Sequence, residues 1–291
     1  HELPCVGDWV VLQKGAPGDW GLVHRVVERR TSLWRKSAGA SMQRQMIAAN
    51  VDRAVVVQSC HYDFNLRRLE RYLVMVREGG AEPCVLLTKT DLVAPEVVDA
   101  QRAEIRAAGI EAPVLTLSNV TQEGLDELRR MLVPGQTHCF VGGSGVGKST
   151  LINQLIGRDC LQTGGVSGTG EGRHTTVRRE LVVLEGGALV IDNPGMREFG
   201  LVEASRGIGG GFGSIAELAT GCRYRDCSHT GEPGCAVLAA VESGELSRAQ
   251  YESFLKLRAE SEFAEMSQVE RRRKDRAFGR LVRSVKRGLD D

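Results

Sequence analysis

Residues 142–150 read GGSGVGKST, and residues 142–149 fit the spacing G-x-x-x-x-G-K-[ST]. An apolar stretch, HCFVGG, leads into them and another, TLINQLI, leads out. That is the strand, loop and helix setting in which backbone N–H groups freed by glycines wrap phosphate oxygens, and a chance glycine-rich turn has no reason to sit there. In this reading Gly142, Gly143, Ser144, Gly145, Val146, Gly147 and Thr150 cradle a nucleotide's phosphates, Lys148 reaches the β and γ oxygens, and Ser149 binds Mg²⁺. Such a loop normally opens its domain, yet here nearly half of the chain precedes it.

The 291 residues, 42% apolar and 26% charged with a net charge of +1, have an ordinary soluble composition with room for two or three domains. No apolar run is long enough to span a bilayer, and HELPCVGDWV lacks the basic and apolar regions of a secretory signal. A cytoplasmic protein without a membrane partner is expected. The missing initiator Met predicts a processed or truncated start.

Outward from the phosphate loop, hydrophobic periodicity alternates between strand and helix. DRAVVVQS, EPCVLLTKTD, APVLTLS and THCFVGG read as strands, while NLRRLERYLVMVREGG, PEVVDAQRAEIRAAG and TQEGLDELRRML read as helices. This βαβα order predicts an α/β fold, a parallel sheet covered by helices on both faces. After the loop come the helix KSTLINQLIG, the glycine-rich TGGVSGTGEGRHTT and a strand pair in RELVVLEGGALVIDNPG. Residues 6–30 suit two short strands of a small barrel, and TSLWRKSAGASMQRQ reads as a basic loop or linker.

Three further segments bear on a nucleotide. LVIDNPG ends an apolar strand on Asp192, placed to supply a carboxylate near Mg²⁺, with the Gly195 N–H available to a γ-phosphate; an ordinary strand ending in a turn would read the same. TKTD, residues 88–91, ends another strand: Asp91 can accept from the N1 and N2 edge of guanine while the Lys89 stem packs on the ring. It is similar to the guanine-reading N-K-x-D element, with Thr88 where Asn is usual. TLSN, residues 116–119, ends the next strand and is similar to the short element over the guanine O6, through Ser118 and Asn119. Either segment alone could be a polar turn; two on successive strand ends are difficult to obtain by accident.

The order of these elements accounts for what precedes the phosphate loop. Most GTPases run phosphate loop, switch threonine, D-x-x-G and then the base elements, whereas here the base elements come first. A parallel sheet still gathers these loops at one edge wherever its chain is cut, so the domain reads as circularly permuted. On these motifs the chain resembles the ribosome small subunit-dependent GTPase A family (RsgA, also called YjeQ or YloQ). The resemblance implies a circularly permuted GTPase domain over residues 47–204, a partial OB-type barrel and linker over 1–46, and a zinc-binding module with basic helices over 205–291. It also implies Thr176 as the switch threonine on Mg²⁺ and His174 as the group that orients water, since Met196 replaces the usual Gln after D-x-x-G. A surface histidine in a flexible loop is the alternative for His174. Catalysis would then rest on His174, Lys148 and Thr176. Intrinsic turnover is expected to be slow, because no arginine finger is obvious in the chain. An OB fold has five strands, and the residues before Val51 have room for about three, so the barrel is expected to be incomplete.

Eight cysteines stand at positions 5, 60, 84, 139, 160, 222, 227 and 235, and the last three cluster. Cys222, Cys227, His229 and Cys235 form C-x4-C-x-H-x5-C, a set that closes a tetrahedral shell around one structural Zn²⁺ and leaves no position for a reactive water. Beyond it, Arg271, Arg272, Arg273, Lys274, Arg276, Arg280, Arg283, Lys286 and Arg287 face a single internal acid, Asp275. A charge run is usually a solvated helix face. With Arg25, Arg29, Arg30, Arg35, Lys36 and Arg44 at the other end, it fits contact with an RNA backbone, and the partner that the resemblance implies is the small ribosomal subunit and its rRNA. The leading expectation is a monomeric GTPase, cycling between GTP and GDP, that acts in late assembly of that subunit and is stimulated by it. One alternative is a GTP-gated rRNA-binding checkpoint in which hydrolysis only resets release. A phosphate-loop ATPase or small-molecule kinase is a third reading, which TKTD and TLSN argue against.

Overall fold

The computed structural model describes residues 3–13, 20–36, 44–157, 180–192 and 213–265. Its centre is a six-stranded sheet. The strands in chain order are β5 (Arg53–Ser59), β6 (Glu82–Thr88), β7 (Val114–Leu117), β8 (Thr137–Gly142), β9 (Glu180–Val183) and β10 (Leu189–Asp192). They lie side by side as β7-β6-β5-β8-β10-β9, parallel except for the edge strand β9. Helices α1 (Leu66–Glu78), α2 (Pro95–Ala107), α3 (Leu125–Met131) and α4 (Lys148–Ile156) cover it.

Near-continuous apolar strands follow from burial on both faces. In β5, Ala54 and Val56 point to the α1 and α2 side, where they meet Leu69, Leu73, Val76 and Ile105. Val55 and Val57 point the other way, into a second cluster with Leu125, Leu128, Leu151 and Ile152 of α3 and α4. The period of two along the strand thus feeds two cores at once. Parallel pairing carries a further consequence: Ser59 aligns with Thr88, Thr88 with Leu117, and Val57 with Gly142, so the C-terminal ends of four strands open on one edge.

Before the sheet, β1 (Val10–Gln13) pairs with β2 (Leu22–Val26), and β3 (Ser32–Lys36) pairs with β4 (Arg44–Ala49). Among the described residues four strands therefore precede Val51, one more than the sequence reading allowed, and the segment read as a basic loop or linker carries β3 and the start of β4. Leu33 and Ile47 explain it, because both are fully buried in the first core cluster and hold the hairpin against α1. The Ser32 N–H also donates to Gly79 O at 2.9 Å. The expected boundary between 46 and 47 accordingly falls inside β4. Among the described residues the two hairpins form separate sheets.

The C-terminal module comprises α5 (Gly213–Ala219), α6 (Ala236–Ser243) and α7 (Arg248–Glu265). Its core of Ile215, Val237, Ala240, Leu246, Phe254 and Leu257 includes Val74 from α1, so the module packs on the back of that helix. Ser253 Oγ donates to Glu70 Oε2 across the same junction, and Glu70 is buried there. Burial pushes the Glu70 carboxyl above its ordinary range, against the hydrogen bond from Ser253. No helix among the described residues is long and apolar enough to cross a membrane.

Candidate functional site

The phosphate loop joins β8 to α4 at the centre of the open edge. Gly142 sits at φ 157° with β5 directly beside it: a Cβ there would stand 2.3 Å from Val57 O. Gly147, at φ 97°, caps α4 in the left-handed region, and a Cβ on it would meet Asn119 Nδ2 at 2.7 Å. Gly142 requires glycine for space against the β5 backbone, and Gly147 requires it for its left-handed conformation. The loop then enters α4, whose unpaired N-terminal N–H groups and helix dipole favour an anion.

Lys148 is 6% exposed, and its Nζ donates to Gly142 O at 2.9 Å and to Gly143 O at 2.5 Å. Burial pulls its ammonium down to about 8, against the charges of Asp192 and Asp63, which favour the protonated form. The cation is thus placed among its own loop's carbonyls with two carboxylates near it. Asp192, buried at the end of β10, and the Ser149 hydroxyl in the first turn of α4 are hard oxygen donors of the kind that Mg²⁺ takes. Ser144, Gly145 and Thr150 are exposed around the loop's mouth, while Val146 is buried beneath it.

The two base elements lie next to that loop and are bonded to it. Thr88 Oγ1 is 2.7 Å from Val146 O and 3.2 Å from Gln58 O, fully buried, and its single proton favours the shorter contact. Lys89 adopts φ 60°, which turns its side chain over the Tyr62 ring, 5.2 Å from Nζ to the centroid. Ser118 Oγ donates to Asp91 Oδ1 at 2.6 Å. Asn119 Nδ2 donates to Gly147 O at 3.1 Å, and Gln154 Nε2 donates to Asn119 O at 2.7 Å. TKTD and TLSN, read separately in the sequence, thus converge with GGSGVGKST on one sheet edge.

Sequence reasoning missed the loop between β5 and α1, which carries Tyr62 and Asp63. Buried Gln58 holds its far end by two bonds to Asn65: Asn65 N–H to Gln58 Oε1 at 3.0 Å and Gln58 Nε2 to Asn65 O at 3.1 Å. Asn65 in turn caps α1 by accepting from the Arg68 N–H at 2.9 Å. Position was the available signal, since any loop that follows a central parallel strand reaches this edge. His174, Thr176, Gly195 and Met196 lie outside the described residues, so the switch threonine and the water-orienting group have no described geometry.

The second cluster stands in the C-terminal module. The ligand atoms of Cys222, Cys227, His229 and Cys235 all lie within 4.8 Å of one another. His229 Nδ1 is 3.5 Å from Cys222 Sγ and 3.4 Å from Cys235 Sγ, and those two sulfurs are 3.9 Å apart, too far for a disulfide. Tetrahedral thiolates at ordinary zinc bond lengths are separated by about 3.8 Å, so the spacing fits that ion. Tyr251 Oη donates to His229 O at 2.6 Å and Arg258 Nη1 to Ser228 O at 2.7 Å, fastening the ligand loop to α7.

Of the basic residues read as RNA contacts, Arg29 is otherwise engaged. It pairs with Asp8 at 2.7 Å with the two side chains 12% and 1% exposed, and the pairing holds the Asp8 carboxyl below its usual range against burial. Arg30 is exposed with a 3.3 Å contact to Asp52, and Arg35 donates to Gln45. The C-terminal Arg and Lys residues from 271 onward lie outside the described residues.

A central phosphate loop, with base elements on strand ends that precede it in the chain, defines a circularly permuted GTPase. A sequence profile described as RsgA GTPase matches residues 26–202. The chain is 41% identical over 98% of its length to the Small ribosomal subunit biogenesis GTPase RsgA 1 of Bacteroides thetaiotaomicron, covering 80% of that protein. It is 44% identical over 89% of its length to RsgA 2 of Listeria monocytogenes, covering 72% of it. Among solved structures it is similar to YjeQ from Thermotoga maritima, with a TM-score of 0.65, 25% identity and coverage of 89% of this chain and 85% of that one. It is also similar to YloQ, a circularly permuted GTPase, with a TM-score of 0.64, 27% identity and coverage of 91% and 83%. The chain belongs to the RsgA GTPase family.

Proposed function

We propose that this GTPase takes GTP across the open edge of its sheet, hydrolyses it, and acts in late assembly of the small ribosomal subunit, which stimulates turnover. The supporting observation is the buried bond from Thr88 to Val146 O, which couples the guanine-reading strand to the phosphate loop. Asp91 and Lys89 read and cover the base, Ser118 and Asn119 shape its floor, and the loop from Gly142 to Thr150 wraps the phosphates. Lys148 offsets the charge that develops on the β and γ oxygens. Ser149 and Thr176 would hold Mg²⁺ with Asp192 behind it, and the ion would supply positive charge that offsets the phosphates. Gly195 would offer its N–H to the γ-phosphate, and His174 would orient the attacking water in place of Met196.

The remaining parts of the reading serve the partner. Residues 205–291 would form a module around one structural zinc, held by Cys222, Cys227, His229 and Cys235, with the basic C-terminal run on rRNA. The β1 to β4 hairpins, which run on to Ala49, would form part of an OB-type barrel. A monomer that acts in the cytoplasm fits this assignment. The test compares GTP turnover by the purified chain with and without small ribosomal subunits: a rise on adding subunits is expected, and equal rates would remove the assignment of partner.

A further inference from the structure

We propose that Asp63 sets the nucleotide affinity of this site by holding a negative charge against the phosphate loop. This rests on the reading that the loop takes GTP. A Cβ on Gly143, the loop's second residue, would stand 3.5 Å and 3.6 Å from Asp63 Oδ1 and Oδ2, so the carboxylate lies beside the loop with no side chain between them. Oδ1 is 2.8 Å from Arg68 Nη2, and the same guanidinium donates to the Asp63 carbonyl. Oδ2 is shut off from solvent and has no hydrogen-bond partner among the described residues. One face of the carboxylate is therefore compensated and the other is not.

The charge is in a place where it matters. Asp63 and Asp192 both act on Lys148, the cation that must meet the incoming phosphates. Asp192 has a use in the filled site, behind a bound Mg²⁺, whereas the Asp63 carboxylate is paired through Oδ1 to Arg68 and leaves Oδ2 without a hydrogen bond. The loop carrying Asp63 is fixed by Gln58 and by the Asn65 cap, so the carboxylate has little freedom to swing away when phosphate arrives. Filling the loop adds negative charge beside a partly buried, half-neutralised carboxylate whose Oδ2 is closed to solvent, in surroundings that screen less than bulk water. Binding is weakened, and more so for GTP, which brings one more phosphate than GDP. A residue of this kind keeps nucleotide release fast without a separate exchange factor, and Arg68 is the counterweight that limits the effect.

Opposite changes are expected from the two partners. In titrations with fluorescent GDP and a fluorescent non-hydrolysable GTP analogue, Asp63→Asn should bind about threefold to thirtyfold more tightly than the parent chain, with the larger gain for the GTP analogue. Arg68→Gln should bind more weakly by a similar factor, and the double variant should return to the Asp63→Asn value. Loss of local structure would weaken binding in both single variants, so opposite signs separate an electrostatic role from a structural one. Equal or weaker binding by Asp63→Asn, or unchanged binding by Arg68→Gln, overturns the proposal. A parent chain that binds neither nucleotide would instead overturn the reading of the loop itself.

Discussion

Ser118 Oγ donates to Asp91 Oδ1 at 2.6 Å, joining the ends of two neighbouring parallel strands. The Ser118 oxygen also accepts the Val120 N–H at 3.1 Å and the Thr121 N–H at 3.0 Å, so its single proton is directed at the carboxylate. Asp91 is thereby held in one orientation before any base arrives. Replacing Asp91 with Asn puts a donor opposite the guanine 2-amino group, and preference should move from guanosine to xanthosine nucleotides by about tenfold or more. Competition between GTP and XTP for labelled GDP measures it, and retained GTP preference would reduce TKTD to a turn. Ser118→Ala, which leaves Asp91 in place and frees its rotamer, should weaken GTP binding by about threefold to tenfold.

Thr88 stands where an Asn is usual, and the structure supplies its use. Its hydroxyl meets Val146 O inside the phosphate loop at 2.7 Å, so the segments proposed to read the base and to bind phosphate share one buried bond. Thr88→Val keeps the volume and strands that carbonyl, a loss of about 1 to 3 kcal/mol. Affinity for GTP and GDP should fall together by about tenfold, because the loop is used by both nucleotides. Isothermal titration checks it, and a change confined to GTP would place the effect elsewhere.

The fold was legible because its two periodicities are clean. Strands buried on both faces show as apolar runs such as AVVVQS, and α1 shows as a 3.6-residue pattern, so the parallel sheet could be read from periodicity, while its permuted order followed from the likeness of TKTD and TLSN to guanine-reading elements. The β3 to β4 hairpin was not legible: Leu33 and Ile47 are its anchors, and Arg, Ser and Gln around them read as a solvated linker. Asp63 was missed for a different reason. The role proposed for it depends on its place beside Gly143, eighty positions away in the chain, and no local spacing encodes that neighbour.

His138 lies fully buried in β8, between Arg53 of β5 and Val190 of β10 in the strand register. Burial, with the Arg53 charge beside it, holds its pKa below the ordinary 6.5. The folded chain therefore refuses a proton that the unfolded chain accepts below pH 6.5, and stability should fall as pH drops through that value toward the lowered one. Glu70 works in the other direction above its ordinary 4.5, since its raised pKa lets the folded state take up a proton first. His138→Phe removes only the first contribution. Its melting temperature should fall less than that of the parent chain between pH 7.5 and about 5.5, and parallel curves would mean that His138 carries no such linkage.

One zinc per chain is expected at Cys222, Cys227, His229 and Cys235. The module around it has a small core, and the ligand loop is fastened through Tyr251 and Arg258 to α7, so losing the ion should unfold the module. The sheet has two clusters of its own and should keep binding nucleotide. Elemental analysis of protein purified without chelator, followed by hydrogen exchange after chelation, reads both outcomes: exchange should rise in residues 213–265 and stay low in β5, β6 and β8. Absence of zinc in the purified protein would remove the claim.

His174→Ala should lower subunit-stimulated turnover far more than it lowers GTP affinity. The groups that hold the nucleotide in this reading, Lys148, Ser149, Asp91 and Thr88, are built on the sheet edge and do not depend on residue 174. Met196 has no group that can direct a water, and His174 lies two positions before Thr176, the proposed switch threonine, in the sequence. A contact made only in the transition state appears in kcat, by about 10-fold to 1,000-fold, while Kd for a non-hydrolysable analogue stays within about twofold. Binding to the subunit should persist as well, because it is assigned to the basic run beyond residue 270. Single-turnover hydrolysis on saturating subunits separates the possibilities. A rate equal to the parent's would return His174 to the status of a surface histidine and move the water-orienting group onto the ribosome, where the same assay with altered subunits would find it.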